Sequence, residues 1–323
     1  MKKKISIKAS IEKKTNLIKI NQRADSDILI LEKKFVLPTK KIIKNKPTQD
    51  LNNKPFVLQK KFYILEKKKE YQNNVFNINK IKNKTLQVQK VFKSLGNKLI
   101  LKNISLTIES GKIVGLLGPN GSGKTTLFNL IIGKIFPDNG KIIFDNKEIH
   151  NIPIHLRSLG GISLLEQHKG LFGNMTAGDN LYAILELHME NKEKICQKID
   201  SLLGYFDLDY LKDTKADLLS GGEYKKVSIL QRICNPNITT LLLDEPCAAL
   251  DPLSINSLKE FILELKKAGL SILITDHNYW AIENILDKAY IIKSGEILVE
   301  GTTEKISKDK DAIKYYLGGN FRF

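Results

Sequence analysis

The octapeptide Gly118-Pro119-Asn120-Gly121-Ser122-Gly123-Lys124-Thr125 restricts this chain more than any other stretch. Its pattern, G-x-x-x-x-G-K-T, describes a loop that cradles phosphates, and it carries that meaning only between a strand and a helix. Both flanks comply. Ile113, Val114, Leu116 and Leu117 form the short continuous apolar run of a buried parallel strand. Thr126 follows the loop, and Leu127, Phe128, Ile131, Ile132 and Ile135 then recur at spacings of three and four, which predicts one buried helix face. Glycines let successive backbone N–H groups approach phosphate oxygens without a Cβ in the way. The helix N-terminus adds the positive end of its dipole. In such a loop the Lys124 ammonium reaches the β- and γ-phosphates, and the Thr125 hydroxyl is a ligand for magnesium.

The rest of the chain supplies an α/β frame around that loop. Thr85-Leu86-Gln87-Val88 alternates as a half-exposed strand does, residues 103–108 repeat the pattern, and 109–112 read as the turn that follows. Phe92 lies where an aromatic ring can stack on a nucleotide base, although a plain core phenylalanine reads the same way. Pro137-Asp138-Asn139-Gly140 reads as a turn before a strand over 141–144, and 161–165 as another strand ending at Glu166-Gln167-His168. Residues 176–217 read as mainly helical, through Leu181, Ile184, Leu185 and Leu187, then Ile195, Ile199, Leu202, Leu203 and Phe206. A helical block between two strands suggests an inserted subdomain.

Leu219-Ser220-Gly221-Gly222-Glu223 opens a further helix, with Ser220 as its N-cap and Glu223 completing a capping box. Leu241-Leu242-Leu243 is an apolar strand ending in Asp244-Glu245-Pro246. On an alternating strand two successive carboxylates point to opposite faces, but at the strand's end Glu245 can turn toward the phosphate loop. Asp244 then holds the magnesium ion and Glu245 polarises an attacking water. The strand 271–275 delivers Asp276-His277-Asn278, where His277 taken alone reads as structural or solvated. Residues 290–299 read as a hairpin turning at Ser294-Gly295, and a short helix follows.

Charge divides the chain. Residues 1–85 hold 23 Lys+Arg against 7 Asp+Glu, a net of +16, whereas the whole chain carries +17. The body is thus close to neutral. The extension has no glycine, repeats Ile/Leu-Glu-Lys-Lys at 11–14, 31–34 and 65–68, and shows no sustained period, so little packed structure is expected of it. It reads as a solvated, compositionally biased extension, as a polybasic arm for anionic lipid headgroups, or, less simply, as a nucleic-acid contact. No run approaches the roughly 18 apolar residues of a membrane span. Met1-Lys2-Lys3-Lys4 is not followed by the apolar stretch of a signal peptide. Cys196, Cys234 and Cys247 lack metal-ligand spacing and read as thiols of a reducing compartment.

Taken in order, the phosphate loop, Gln167, Leu219-Ser220-Gly221-Gly222-Glu223, Leu243-Asp244-Glu245-Pro246, Ala249-Leu250-Asp251 and His277 resemble the nucleotide-binding subunits of ABC transporters, over residues 86–318. The resemblance implies a P-loop NTPase fold of the ABC type, with an antiparallel β subdomain and a helical subdomain inserted over about 168–222. Residues 1–85 precede it as an extension and 319–323 follow as a tail. It implies an ATPase with ATP and Mg2+ as cofactors. Ser220 and Gly222, with Gly221 between them, would contact the γ-phosphate held by a second copy, making a head-to-tail homodimer with Asp251 at the seam. Gln167 would sense magnesium and the transport partner, and His277 would contact the γ-phosphate and the attacking water. Phe92 stands where the family usually has Tyr. Separate transmembrane permease subunits would insert coupling helices into a groove beside Gln167, with Phe172 in it, which places the chain on the cytoplasmic face of the inner membrane.

Within the family, residues 113–121, Leu273-Ile274-Thr275-Asp276-His277-Asn278 and the ending Tyr316-Leu317-Gly318 with Phe321-Arg322 look most similar to the ATPases of lipopolysaccharide export. The alternatives are the ATPase of a branched-chain amino-acid importer and a soluble ABC ATPase acting on RNA or ribosomes. The chain departs from the family pattern at Cys247, where Phe commonly follows Asp-Glu-Pro, and at Glu166, where proline often precedes the glutamine. The basic extension has no counterpart in that pattern.

Overall fold

The computed structural model describes residues 6–12, 17–23, 84–167 and 170–314. Most of the basic extension, His168 and the ending from Tyr316 to Phe323 lie outside the described residues, and with them the extension's lipid or nucleic-acid contact. In the first unit, Met1–Val57, β1 (Ser6–Glu12) and β2 (Leu17–Arg23) pair antiparallel with Ile11 opposite Ile18. The short alternation Ile7, Ala9, Ile11 is the sequence trace of this pair, and the surrounding lysines mask it.

The second unit, Leu58–Phe323, holds the rest. It opens with β3 (Leu86–Leu95) and β4 (Lys98–Ile108), then β5 (Ile113–Leu117), whose five residues are all buried. Helix α1 (Lys124–Ile132) follows the phosphate loop. It stops at Gly133, which takes φ 86 and donates its N–H to the carbonyls of Asn129 and Leu130. Ile135 is therefore not on the helix, as its spacing had predicted; it packs from beyond the cap against the same core. Strands β6 (Asn139–Phe144) and β7 (Lys147–Glu148) complete an antiparallel sheet of order β4-β3-β6-β7. Asn139 and Gly140 belong to that strand and not to a turn before it. A Cβ on Gly140 would stand 2.4 Å from the Lys90 carbonyl, so only glycine permits the close pairing at the bulge of β3.

Helix α2 (Ile154–Gly160) leads to β8 (Ile162–Leu165). The helical block then runs through α3 (Ala177–Leu185) and α4 (Lys192–Tyr205) to α5 (Gly221–Ile233). The remaining elements are β9 (Thr240–Asp244), α6 (Pro252–Lys267), β10 (Ser271–Thr275), the short α7 (Tyr279–Ile282), β11 (Lys288–Lys293), β12 (Glu296–Gly301), α8 (Thr303–Lys308) and α9 (Lys310–Ala312). The main sheet has the order β12-β11-β5-β10-β9-β8, parallel except for the edge strand β12. Both faces of its centre are buried, which is why β5, β9 and β10 are continuous apolar runs. The loop, the paired carboxylates and His277 all follow the carboxyl ends of the adjacent strands β5, β9 and β10, the place where open parallel sheets hold ligands.

One buried side chain anchors the helix that carries the loop. Arg157 of α2 donates to the carbonyls of Leu130 at 2.6 Å, Ile131 at 2.9 Å, Ile152 at 2.6 Å and His150 at 3.0 Å. Two of these belong to the last turn of α1, whose carbonyls have no partner within the helix. Burial lowers the guanidinium pKa to about 10, still far above neutrality.

Candidate active site

The phosphate loop is shaped by backbone demands that only glycine meets. Gly118 has φ 158, and a Cβ there would lie 2.1 Å from the Ile292 carbonyl of the neighbouring strand. Gly121 has φ 75 with open space around the missing Cβ. No side chain caps the first turn of α1. Ser122 Oγ is buried without a hydrogen-bond partner among the described residues. A helix N-terminus with uncapped N–H groups and an orphaned hydroxyl suits an anion such as phosphate.

Lys124 is nearly buried, 6% exposed, and its Nζ donates to the carbonyls of Gly118 at 2.8 Å and Pro119 at 3.1 Å. It folds back on the loop and is held ready above it. Burial lowers its pKa, opposed by Glu245, Asp244 and Asp276. Thr125 is exposed beside it and Thr126 half-buried.

Opposite the loop stand the carboxylates. Asp244 is the last residue of β9, in register with Thr275 of β10. Thr275 Oγ1 donates to Asp244 Oδ1 at 2.6 Å. Burial raises the Asp244 pKa, helped by Glu245 and opposed by that hydroxyl and by Lys124. Glu245 leaves the strand in the left-handed region, φ 48, with its N–H bonded to the Thr275 carbonyl at 3.0 Å and to Thr275 Oγ1 at 3.1 Å. That twist breaks the alternation and frees Glu245 from pointing away from Asp244. A non-glycine residue held there costs about 1–3 kcal/mol, a strain typical of functional positions.

Glu245 gathers the other polar groups. Its Oε2 accepts from Gln167 Nε2 at 2.9 Å and lies 3.5 Å from His277 Nδ1. Asp276 is almost wholly buried, and burial raises its pKa. Lys124, Asp244, Glu245, Gln167 and His277 thus form one cluster around the end of the loop. The arrangement offers a cation and free N–H groups to a polyphosphate, and a carboxylate oxygen beside histidine and amide groups where a water can be polarised. Asp244 and Thr125 are hard oxygen donors, and a buried carboxylate with a raised pKa suits a hard divalent cation such as Mg2+.

The signature segment stands apart from this cluster. Ser220 caps α5: its Oγ accepts from the Glu223 N–H at 3.4 Å and donates to Glu223 Oε2 at 2.7 Å. Ser220 and Gly221 are exposed and Gly222 is buried. No hydrogen bond among the described residues joins them to the phosphate loop of their own chain. Phe92 is half-buried on β3 at its bulge, outside the hydrogen-bonded cluster. Asp251 caps α6 through the N–H groups of Leu253 and Ser254, and Phe172 is 59% exposed. Thr275 and Lys225 were not anticipated as members of the site. Lys225 donates its ammonium to the Gln167 carbonyl at 3.0 Å. The only signal for Thr275 is its place just before Asp276-His277 at a strand end.

Fold and site together define a phosphate-loop nucleotide hydrolase built as an ATP-binding cassette. The profile described as "ABC transporter" matches residues 101–248. The chain is 37% identical over 239 residues to the lipopolysaccharide export system ATP-binding protein LptB of Haemophilus influenzae, an alignment covering 73% of this chain and 98% of that protein. The LptB of Escherichia coli is also 37% identical, over 240 residues, 74% of this chain and 99% of its own. Among solved structures, the ADP conformation of an ATP-binding cassette of an ABC transporter superposes with a TM-score of 0.67 at 28% identity, over 73% of this chain and 99% of that one. The chain belongs to the ABC transporter ATP-binding family, and it is an ATPase that binds ATP. Among the described residues no helix is long and apolar enough to cross a membrane.

Proposed function

We propose that this chain is the ATP-hydrolysing motor of a lipopolysaccharide export machine, working as a head-to-tail homodimer beneath separate permease subunits. The observation that carries the reading is the 37% identity to LptB proteins over 98–99% of their length, which takes in the whole motor and not the phosphate loop alone. In this reading the loop residues 118–126 hold ATP, with Lys124 on its β- and γ-phosphates and Phe92 against its base. Thr125, Asp244 and Gln167 hold Mg2+, which neutralises phosphate charge when bound. Glu245 orients and deprotonates the attacking water, with His277 beside it. Ser220, Gly221 and Gly222 complete the second copy's site, which accords with the exposure of Ser220 and Gly221 and with the lack of hydrogen bonds, among the described residues, to their own loop.

The ATPase body spans 86–318, and Phe172 lines the groove that receives the permease. The chain then lies on the cytoplasmic face of the inner membrane, where the net +16 of residues 1–85 would suit a contact with anionic headgroups. The test is affinity capture of the tagged chain from detergent-solubilised membranes, with mass spectrometry of what comes with it. Two distinct permeases bearing periplasmic domains are expected. Importer permeases in their place, or ribosomes without membrane protein, would overturn the reading.

A further inference from the structure

Gln167 is gripped at both ends. Its side-chain amide donates to Glu245 Oε2 at 2.9 Å, and its backbone carbonyl accepts from Lys225 Nζ at 3.0 Å. Lys225 lies in the second turn of α5, the helix capped by Ser220, and is half-buried in the field of Asp244 and Asp276. Gln167 follows the end of β8, where the sheet ladder no longer supplies a donor, so this carbonyl depends on a side chain from another element. Lysine can reach it and keep a positive charge near Asp244 and Asp276. Lys124 stands in the field of the same two carboxylates from the phosphate loop. No part of this requires Lys225 to touch a nucleotide.

We infer that Lys225 is a positioning residue for Glu245, acting through Gln167 and linking the helix of the signature serine to the carboxylate that activates water. Among the described residues, the Glu245 carboxylate oxygens have Gln167 as a hydrogen-bond partner and the 57% exposed His277 at ion-pair distance. Gln167 is the one of these two that a hydrogen bond ties to α5. Displacement of α5 therefore moves the Gln167 backbone and, with it, the amide that holds Glu245 Oε2. Engagement of Ser220 with a second copy is thereby sensed at the catalytic carboxylate of its own chain. The inference rests on the reading of Glu245 as the group that activates water.

The experiment is steady-state ATPase kinetics of the full chain with Lys225→Met and Lys225→Arg, each alone and combined with Gln167→Ala. Lys225→Met is expected to lower kcat by about ten- to a hundredfold, the scale of a small misplacement of a catalytic group, with KM for ATP within about twofold of native. Lys225→Arg, which keeps the donor, restores most of kcat. In the Gln167→Ala background Lys225→Met brings no further loss, because the route to Glu245 is already cut. A native kcat in Lys225→Met, no rescue by Arg, or an undiminished loss in the Gln167→Ala background would each overturn the link. Should Lys225→Met not fold, Lys225→Arg is compared with Lys225→Gln, whose shorter amide does not reach the carbonyl. Glu245→Gln run in parallel separates the two readings: if it hydrolyses at the native rate, the role of Glu245 has failed and not the link alone.

Discussion

Thr275→Val tests how the site keeps a carboxylate ionised in a half-buried place. The hydroxyl donates to Asp244 Oδ1 at 2.6 Å, and Thr275 is fully buried. Valine keeps the branched shape and removes that donor, together with the Oγ1 acceptor shared by the Glu245 N–H. The Glu245 N–H is not orphaned, because the Thr275 carbonyl still accepts from it at 3.0 Å. A hydrogen bond to a charged group contributes about 1.5–3 kcal/mol, so the nucleotide-free chain should lose about 2 kcal/mol at neutral pH. The sign of the pH dependence follows from Asp244. Burial raises its pKa above the ordinary 3.8, and the Thr275 hydroxyl is one of the influences pulling it back. An acid whose folded pKa is raised penalises the fold fully at neutral pH, and the penalty fades as pH falls through that folded pKa. Removing the hydroxyl raises the pKa further, so the gap between variant and native should be widest near neutrality and narrow toward acid. Urea unfolding with EDTA and without nucleotide, at about pH 7.5 and about pH 4.5, measures it as a shift in midpoint at constant slope. A loss equal at both pH values, or larger in acid, would show that the hydroxyl does not serve the ionised carboxylate.

Glu245→Gln should lower hydrolysis by about a hundredfold or more while ATP is still bound, and it should accumulate an ATP-dependent dimer on size-exclusion chromatography. Lys124→Ala should weaken ATP binding by about ten- to a hundredfold, as expected for losing a charged hydrogen bond. The emission of Trp280, the chain's one tryptophan and three residues after His277 in sequence, is the signal to follow in the titration. Arg157→Lys leaves a compact ammonium where a guanidinium serves four carbonyls, and should cost about 3 kcal/mol in urea unfolding through orphaned acceptors. Adding Mg2+ to the ATP-bound chain should raise its melting temperature beyond ATP alone, and Asp244→Asn should abolish that increment. An increment retained in Asp244→Asn would remove Asp244 from the metal site.

The strand, loop and first helix were legible because the motif itself is a set of backbone demands. Glycine positions, a lysine and flanking apolar runs leave few other solutions. At Ile135 the helical spacing continues past Gly133 although the cap has already ended the helix. Asn139 and Gly140 look like a turn in sequence, since the close approach of β3 that draws them into β6 has no local trace. The tendency of Glu245 to turn could be anticipated from its place at a strand end, but its means, a left-handed backbone, could not. Contacts between distant segments were invisible. Lys225 and Gln167 are 58 residues apart, Thr275 and Asp244 are 31 apart, and Arg157 reaches carbonyls 26 and 27 residues back. Each of those side chains reads, in sequence, as an ordinary helical cation or a strand threonine.

Ser220 and Gly221 lie open to solvent at the head of α5, away from the loop that their own chain contributes. With a site assembled from two copies, turnover by the free chain is second order in protein, so halving the concentration cuts the rate fourfold. In the proposed assembly, permeases that seat two copies side by side would replace collision with an effective concentration on the order of millimolar. Unassembled subunits would then hydrolyse little ATP, and consumption would be confined to assembled transporters.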